Sequence, residues 1–137
     1  MTDFHKYKWE SEKFLVADDD LYSSILLEKI LKKTGATVYC ASDGKEALKL
    51  IREHHDISVA ILDIVMPLLT GLEVIEEAKT IRPGIIYIAC TADVIRLNPE
   101  KCKELGFSSC ISKPFLPQRL FSILEEALIL RSQLLSG

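Results

Sequence analysis

The apolar run Phe14-Leu15-Val16-Ala17 stops in three aspartates, Asp18, Asp19 and Asp20. Other apolar runs stop in a single reactive side chain: Asp63 after Leu62, Thr91 after Cys90, and Lys113 after Ser112. Adjacent carboxylates at the end of a buried segment repel one another and lose solvation, so their placement needs a reason. A plain reason is that they end the segment and cap the next helix. A chemical reason is that they hold a cation. Carboxylates brought close together cannot all stay ionised without one, unless their pKa values rise. Hard oxygen ligands that leave room for water suit Mg²⁺, which takes one or two carboxylates and a phosphate oxygen. An acidic pair, a separate aspartate, a hydroxyl and an ammonium then form a set able to receive a phosphoryl group. Asp63 would attack in line, Lys113 and the cation would offset charge on the equatorial oxygens, and Thr91 would donate a hydrogen bond.

That chemistry requires all four segment ends to meet. Residues 13–17 read as a short buried strand. Across 21–34, Leu27, Ile30 and Leu31 share one helical face and Glu28, Lys29, Lys32 and Lys33 the other, with Gly35 as the stop. Residues 37–41 are β-branched and aromatic, a second strand; Asp43 and Glu46 are placed to cap a helix carrying Ala47, Leu48, Leu50 and Ile51 and ending near His54. A third strand spans 57–62. After Gly71 a helix runs through Val74, Ile75, Ala78 and Ile81 to the Pro83-Gly84 break, and a fourth strand covers 85–90. Asn98 or Pro99 opens a short helix stopped at Gly106, residues 109–112 form a brief fifth strand, and Pro117 opens the last helix.

Five strands alternating with five helices predict an α/β fold with a parallel sheet, because each helix returns the chain by a right-handed crossover. Strands apolar on both faces agree with that. At this length the flavodoxin-like, doubly wound order 2-1-3-4-5 is the natural solution, with ligands expected at the switch between strands 1 and 3. Strands 1 and 3 are then neighbours about 4.8 Å apart, and Lys113 lies about 10 Å from Asp63 along the sheet, a span its long side chain helps to close. Asp20 falls to the start of the first helix, where the helix dipole favours its charge.

With 137 residues, 48% of them hydrophobic and 27% charged, the sequence reads as one globular domain that needs no disulfide or metal to fold. A net charge of -3, with 17 basic residues dispersed along the chain, argues against nucleic acid as a direct partner. No apolar stretch reaches the length of a bilayer span, and residues 1–6 lack the basic-then-apolar order of a signal peptide, so a cytoplasmic location without membrane contact is expected. Cys40, Cys90, Cys102 and Cys110 form no C-x-x-C pair and are expected to serve as small buried hydrophobes. Adjacent His54 and His55 point in different directions on a helix, which suits a helix C-terminus better than a shared metal.

Val16-Ala17-Asp18-Asp19, Leu62-Asp63-Ile64-Val65-Met66-Pro67 followed by Gly71, Thr91-Ala92, and Lys113-Pro114-Phe115, in that order, resemble the response regulator receiver domain, the phosphoacceptor module of two-component signalling. The resemblance implies that Asp63 takes a phosphoryl group from a histidine kinase or phosphotransfer protein. It implies that Asp19, Asp63 and the Val65 carbonyl bind Mg²⁺ directly, with Asp18 acting through a metal-bound water. Thr91 and Lys113 would sense the phosphoryl oxygens, and the Lys113-Pro114 bond would be cis. A receiver would then occupy residues 13–131, after a tail or linker over 1–12 and before a helix extension over 132–137. Such a domain assists its own phosphorylation and dephosphorylation and carries no separate catalytic output.

Two positions depart from the pattern. Cys110 stands where relatives usually place Tyr or Phe, three residues before the lysine, so the loop after Thr91 is expected to transmit the change instead. Val65 stands where many relatives carry a polar residue, and its side chain is expected to influence water access.

The last helix is apolar over more than one face and continues into Leu134 and Leu135, which suggests deeper burial or a contact surface. By the resemblance, the face made by the fourth helix, fifth strand and fifth helix would pair with a second copy or a downstream protein. The lead segment, with Phe4, Tyr7 and Trp9 among charged residues, is expected to be a mobile tail. A free-standing receiver and a piece of a larger hybrid kinase are both compatible with the sequence. Two rival readings remain: a pseudo-receiver that only binds partners, and a haloacid dehalogenase-type phosphatase using Asp18-x-Asp20, Thr91, Lys113 and Mg²⁺. The phosphatase needs a further acidic pair after the lysine, where only Glu125-Glu126 in the last helix is available.

Overall fold

In the computed structural model, which describes residues 6–92 and 97–136, strand β1 (Lys13–Ala17) lies between β2 (Thr37–Ala41) and β3 (Val59–Asp63). Strands β4 (Ile86–Thr91) and β5 (Ser109–Ser112) follow β3 across the sheet. Every pairing is parallel, so the sheet has the order 2-1-3-4-5 expected from the alternation of elements. Helices α1 (Leu21–Lys32), α2 (Gly44–Glu53), α3 (Gly71–Ile81), α4 (Pro99–Leu105) and α5 (Pro117–Ser136) make the crossovers and close the chain.

The period-2 alternation of strand side chains divides the core between the two faces of the sheet. Phe14, Val16, Val59, Ile61, Ile86 and Ile88 pack with Leu27 and Leu31 of α1 and with Phe121 and Leu124 of α5. Leu15, Ala17, Ala60, Leu62, Tyr87 and Ala89 pack with Leu48 and Ile51 of α2 and with Val74 and Ile75 of α3. Ala17 pairs with Leu62 across β1 and β3, so the next residues, Asp18 and Asp63, leave the core side by side.

Helix ends follow local chemistry. Asp20 caps α1 by accepting the Tyr22 amide and the Ser23 hydroxyl, and Asp43 caps α2 by accepting the Glu46 amide. Helix α1 ends at Lys32, two residues short of the expected 34, because the Thr34 hydroxyl donates to the Leu31 carbonyl at 2.6 Å and Gly35 turns away with φ 87°. Helix α3 opens with a reciprocal cap between Thr70 and Glu73, a signal the sequence reading passed over. Strand β3 begins at Val59 rather than 57: Ser58 bonds the Lys13 carbonyl through its amide and Glu12 through its hydroxyl, a loop arrangement.

Residues 6–12, expected to be a mobile tail or linker, make packing and hydrogen-bond contacts with the fold. Tyr7 stacks on Phe121 of α5 with centroids 4.9 Å apart, and Trp9 meets Phe14 edge-on at 5.6 Å. The Trp9 amide donates to the Thr34 carbonyl at 2.7 Å, and the Glu12 carbonyl accepts from Thr37. The remaining aromatic of that segment, Phe4, lies outside the described residues.

Helix α5 runs unbroken to Ser136, with Leu134 and Leu135 exposed. All four cysteines are free thiols; Cys90 and Cys102 are buried and Cys40 and Cys110 half-buried. His54 caps the C-terminus of α2 and stacks on Tyr39, while His55 lies 3.3 Å from an Arg82 nitrogen. Among the described residues, no helix is long and apolar enough to cross a membrane.

Candidate functional site

Three of the four strand ladders continue one residue past their strands, and that continuation aims the polar residues at one another. The Asp18 amide donates to Ala41 at 3.0 Å, the Ile64 amide to Cys90 at 3.2 Å, and the Lys113 amide to Thr91 at 2.8 Å. The ends of β1, β3, β4 and β5 are thereby fixed to the rigid sheet. Beyond them, the Lys113 ammonium reaches Asp18 Oδ2 at 2.8 Å and Asp63 Oδ2 at 3.0 Å. The other carboxylate oxygens are held by backbone: Asp18 Oδ1 accepts the Asp20 amide at 2.9 Å and Asp63 Oδ1 the Val65 amide at 3.1 Å.

Asp18, Asp19 and Asp63 each present a carboxylate oxygen within 4.8 Å of the others. Asp18 and Asp63 are buried, whereas Asp19 is exposed. One ammonium faces three carboxylates, which leaves two negative charges without a partner in the set. A cluster of hard oxygens with that charge excess fits a small divalent cation, and Mg²⁺ above softer metals.

Burial holds the Asp63 carboxyl above the ordinary carboxylate value; Lys113 and the Val65 amide act in the opposite direction, and Asp18 adds to the rise. Burial alone would lower the Lys113 ammonium, but hydrogen bonds and charge from Asp18 and Asp63 outweigh it and raise it above the usual lysine value. The pair is thus a carboxylate reluctant to ionise beside an ammonium unable to lose its proton near neutral pH.

Two glycines set the walls. A Cβ on Gly71 would come within 2.4 Å of the Asp63 carbonyl oxygen, and a Cβ on Gly44 within 2.1 Å of the Leu69 carbonyl oxygen. The first lets α3 start directly against β3. The second lets the start of α2 press against the loop that carries Val65.

The predicted residues Asp18, Asp19, Asp63 and Lys113 are therefore brought together. Thr91 is buried at the end of β4, with Ser112 as its register partner and its carbonyl bonded to the Lys113 amide. The Val65 side chain is exposed beside the cluster and the Lys113-Pro114 bond is cis. Residues 93–96, the loop after Thr91 expected to transmit a change, lie outside the described residues. Sequence reasoning missed the direct bridge from Lys113 to Asp18, having assigned Asp18 to the cation alone, and it missed Gly44. The only signal for Gly44 was its place after the cap residue Asp43.

A doubly wound sheet whose acidic pocket sits at the switch between β1 and β3 defines a class of phosphate-handling and signalling domains. The family model for the response regulator receiver domain matches residues 14–125, and the chain belongs to that family. A solved CheY-like response regulator receiver domain protein from Methanospirillum hungatei superposes with a TM-score of 0.83 at 28% identity, covering 89% of this chain and 97% of that one. Among curated proteins, "Probable histidine kinase 4" of rice is 30% identical, and "Hybrid signal transduction histidine kinase I" of Dictyostelium discoideum is 34% identical. These matches cover 85% and 82% of this chain but only 14% and 7% of the kinases, so the likeness is to a receiver portion of much longer proteins.

Proposed function

We propose that Asp63 is the phosphoacceptor of a two-component receiver and that its modification, in the cytoplasm, switches the binding of a protein partner. The observation that carries this reading is the Lys113 ammonium fixed between Asp18 and Asp63 at the ends of three different strands. The donor is a phosphohistidine on a histidine kinase or phosphotransfer protein. An Asp63 oxygen takes the phosphorus as the bond from phosphorus to the imidazole nitrogen breaks. The electron pair returns to that nitrogen, and a carboxyl-phosphoryl anhydride is left on Asp63.

Lys113 holds Asp63 in place and faces the incoming phosphoryl oxygens, while Thr91 lies at the neighbouring strand end to donate to them. Asp19, Asp63 and the Val65 carbonyl would hold Mg²⁺, with Asp18 acting through a metal-bound water, and the cation would supply neutralising charge. Asp63 suits the nucleophile better than Asp18, because its side chain is 10% exposed against 3%. That difference also counts against the phosphatase reading through Asp18, as does the exposed position of Glu125 and Glu126 on α5.

A protein donor is supported by exposed apolar side chains that follow the site residues closely in the chain: Leu21 and Tyr22 after Asp20, Val65 and Leu68 after Asp63, and Leu116 after Lys113. The face of α4, β5 and α5 is the proposed surface for a second copy or downstream protein, which sedimentation with and without a phosphate mimic tests. The acceptor itself is tested by incubation with Mg²⁺ and a small acyl phosphate, followed by mass mapping. Phosphoryl mass on Asp63 that disappears in Asp63→Asn is expected. Turnover through Asp18 would establish the phosphatase instead, and no label at all a pseudo-receiver.

A further inference from the structure

Two of the four thiols meet across one packing interface. Cys102 of α4 is fully buried in the apolar cluster that fills one face of the sheet, and Cys110 of β5 packs against the same cluster. Their side chains are within hydrogen-bonding reach of each other, and the Cys110 thiol lies 3.8 Å from the Leu97 carbonyl oxygen. The chain between them is short and firmly held. The Cys102 carbonyl accepts the Phe107 amide at 2.9 Å, Gly106 turns the chain with φ 106°, and the Ser108 amide reaches Tyr87 at 2.8 Å. The other two cysteines stand apart: Cys40 lies against Glu28, and Cys90 belongs to the cluster on the opposite face of the sheet.

Only one member of the pair is open to solvent. Cys110 is half-buried and lines a groove of about 430 Å³ together with Leu97, Pro99, Phe115 and Arg119. Burial pushes the Cys102 thiol up to about 12, so near neutral pH it keeps its proton. The reachable thiol is therefore the one that meets an oxidant first, and the buried thiol is the one positioned to resolve it.

We propose that Cys102 and Cys110 form a peroxide-sensitive dithiol whose oxidation closes a disulfide between α4 and β5. The Cys110 sulfur attacks one oxygen of hydrogen peroxide; the O–O bond breaks, the departing hydroxide takes the Cys110 thiol proton to form water, and Cys110 becomes a sulfenic acid. The Cys102 sulfur then attacks the Cys110 sulfur, the S–O bond breaks, and the departing hydroxide takes the Cys102 proton to form a second water. Two thiols are oxidised to one disulfide while one peroxide is reduced to two waters. The bond would tie α4 covalently to β5, and a dithiol reductant would release it. This modification is separate from the acidic pocket and holds whether or not Asp63 accepts a phosphoryl group.

The test treats the folded, fully reduced 137-residue chain with hydrogen peroxide, alkylates the remaining thiols and maps peptides without reduction. The expected result is loss of the mass of two hydrogens, a Cys102–Cys110 cross-link, and alkylated Cys40 and Cys90. In Cys102→Ser, Cys110 is expected to stop at the sulfenic acid and be trapped by dimedone; in Cys110→Ser, both signals disappear. A cross-link through Cys40 or Cys90, a link between two chains, oxidation of Cys110 without a cross-link, or an unmodified protein would each overturn the proposal. The wild-type map decides the question even if a serine variant fails to fold.

Discussion

The Lys113 ammonium stands 2.8 Å from Asp18 and 3.0 Å from Asp63, one cation shared between two buried carboxylates on neighbouring strands. Removing it leaves both carboxylates without a charge partner in a place that water reaches poorly. Breaking a buried pair from one side costs about 3 kcal/mol, the low end fitting a lysine that is itself partly exposed. Lys113→Met is therefore expected to lower the metal-free unfolding free energy in a urea titration by that amount, with a lower midpoint. Millimolar Mg²⁺ should restore part of the loss, because the cation replaces the missing charge. A midpoint equal to wild type in the presence of a chelator would remove Lys113 from this role.

The same charge excess predicts a pH dependence. The Asp63 carboxyl is raised in the folded state, so the folded chain holds its proton more tightly than the unfolded chain does. Its contribution to stability is therefore full below the ordinary value of 3.8 and is lost as pH rises through the higher folded value. Asp63→Asn never ionises and escapes that loss. Metal-free, the variant should melt at a higher temperature than wild type at neutral pH, with the difference shrinking toward acid. Adding Mg²⁺ should stabilise wild type more than the variant. Melts in a chelator across the acid to neutral range would expose the opposite sign if Lys113 outweighed burial. The raised Lys113 works the other way round: its stabilisation is complete below 10.5 and fades only above it, outside this window.

Close packing of the loop that carries Val65 gives a third expectation. In Gly44→Ala the new methyl would sit 2.1 Å from the Leu69 carbonyl oxygen, and in Gly71→Ala 2.4 Å from that of Asp63. Both contacts are with backbone, so a strand end or helix start has to move. Overpacking of this kind costs about 1–3 kcal/mol. Because the atoms displaced lie beside the acidic cluster, Mg²⁺ affinity should weaken in both variants. Gly84→Ala meets nothing within 4 Å and has an ordinary φ, so it should stay within about 0.5 kcal/mol of wild type and serve as the control. Equal Mg²⁺ titrations for all three variants would show that the loop tolerates displacement.

What the sequence disclosed and what it withheld follow from the range of the forces involved. Strand order and the meeting of Asp18, Asp63 and Lys113 were legible because a period-2 pattern and a right-handed crossover leave few topologies. The one-residue shift at β4 and the two-residue shift at β3 were not, since a strand boundary depends on a partner's register. The bridge from Lys113 to Asp18 was hidden for a similar reason: either carboxylate lies within reach of a lysine, and only the packed geometry decides that it takes both. Gly44 was illegible because its partner, Leu69, is distant in sequence and contributes a carbonyl that every residue has.

Trp9 illustrates a further limit and gives the last prediction. Its neighbours in sequence are polar, and the surrounding composition reads as a tail, yet its ring lies 5.6 Å from Phe14 and 5.8 Å from Phe121. Tyr7 joins the group at 5.0 Å from Trp9. The half-buried ring closes the bottom of the cluster formed by β1, α1 and α5. Full truncation of a buried tryptophan costs about 3–5 kcal/mol, and a half-buried one correspondingly less, so Trp9→Ala should lose about 2 kcal/mol in a urea titration. Trp9 is the chain's single tryptophan, so its fluorescence follows this contact alone. In the wild type that emission should red-shift in the same cooperative transition that circular dichroism reports. A fluorescence change that precedes global unfolding, together with a silent Trp9→Ala, would return residues 6–12 to the status of a tail.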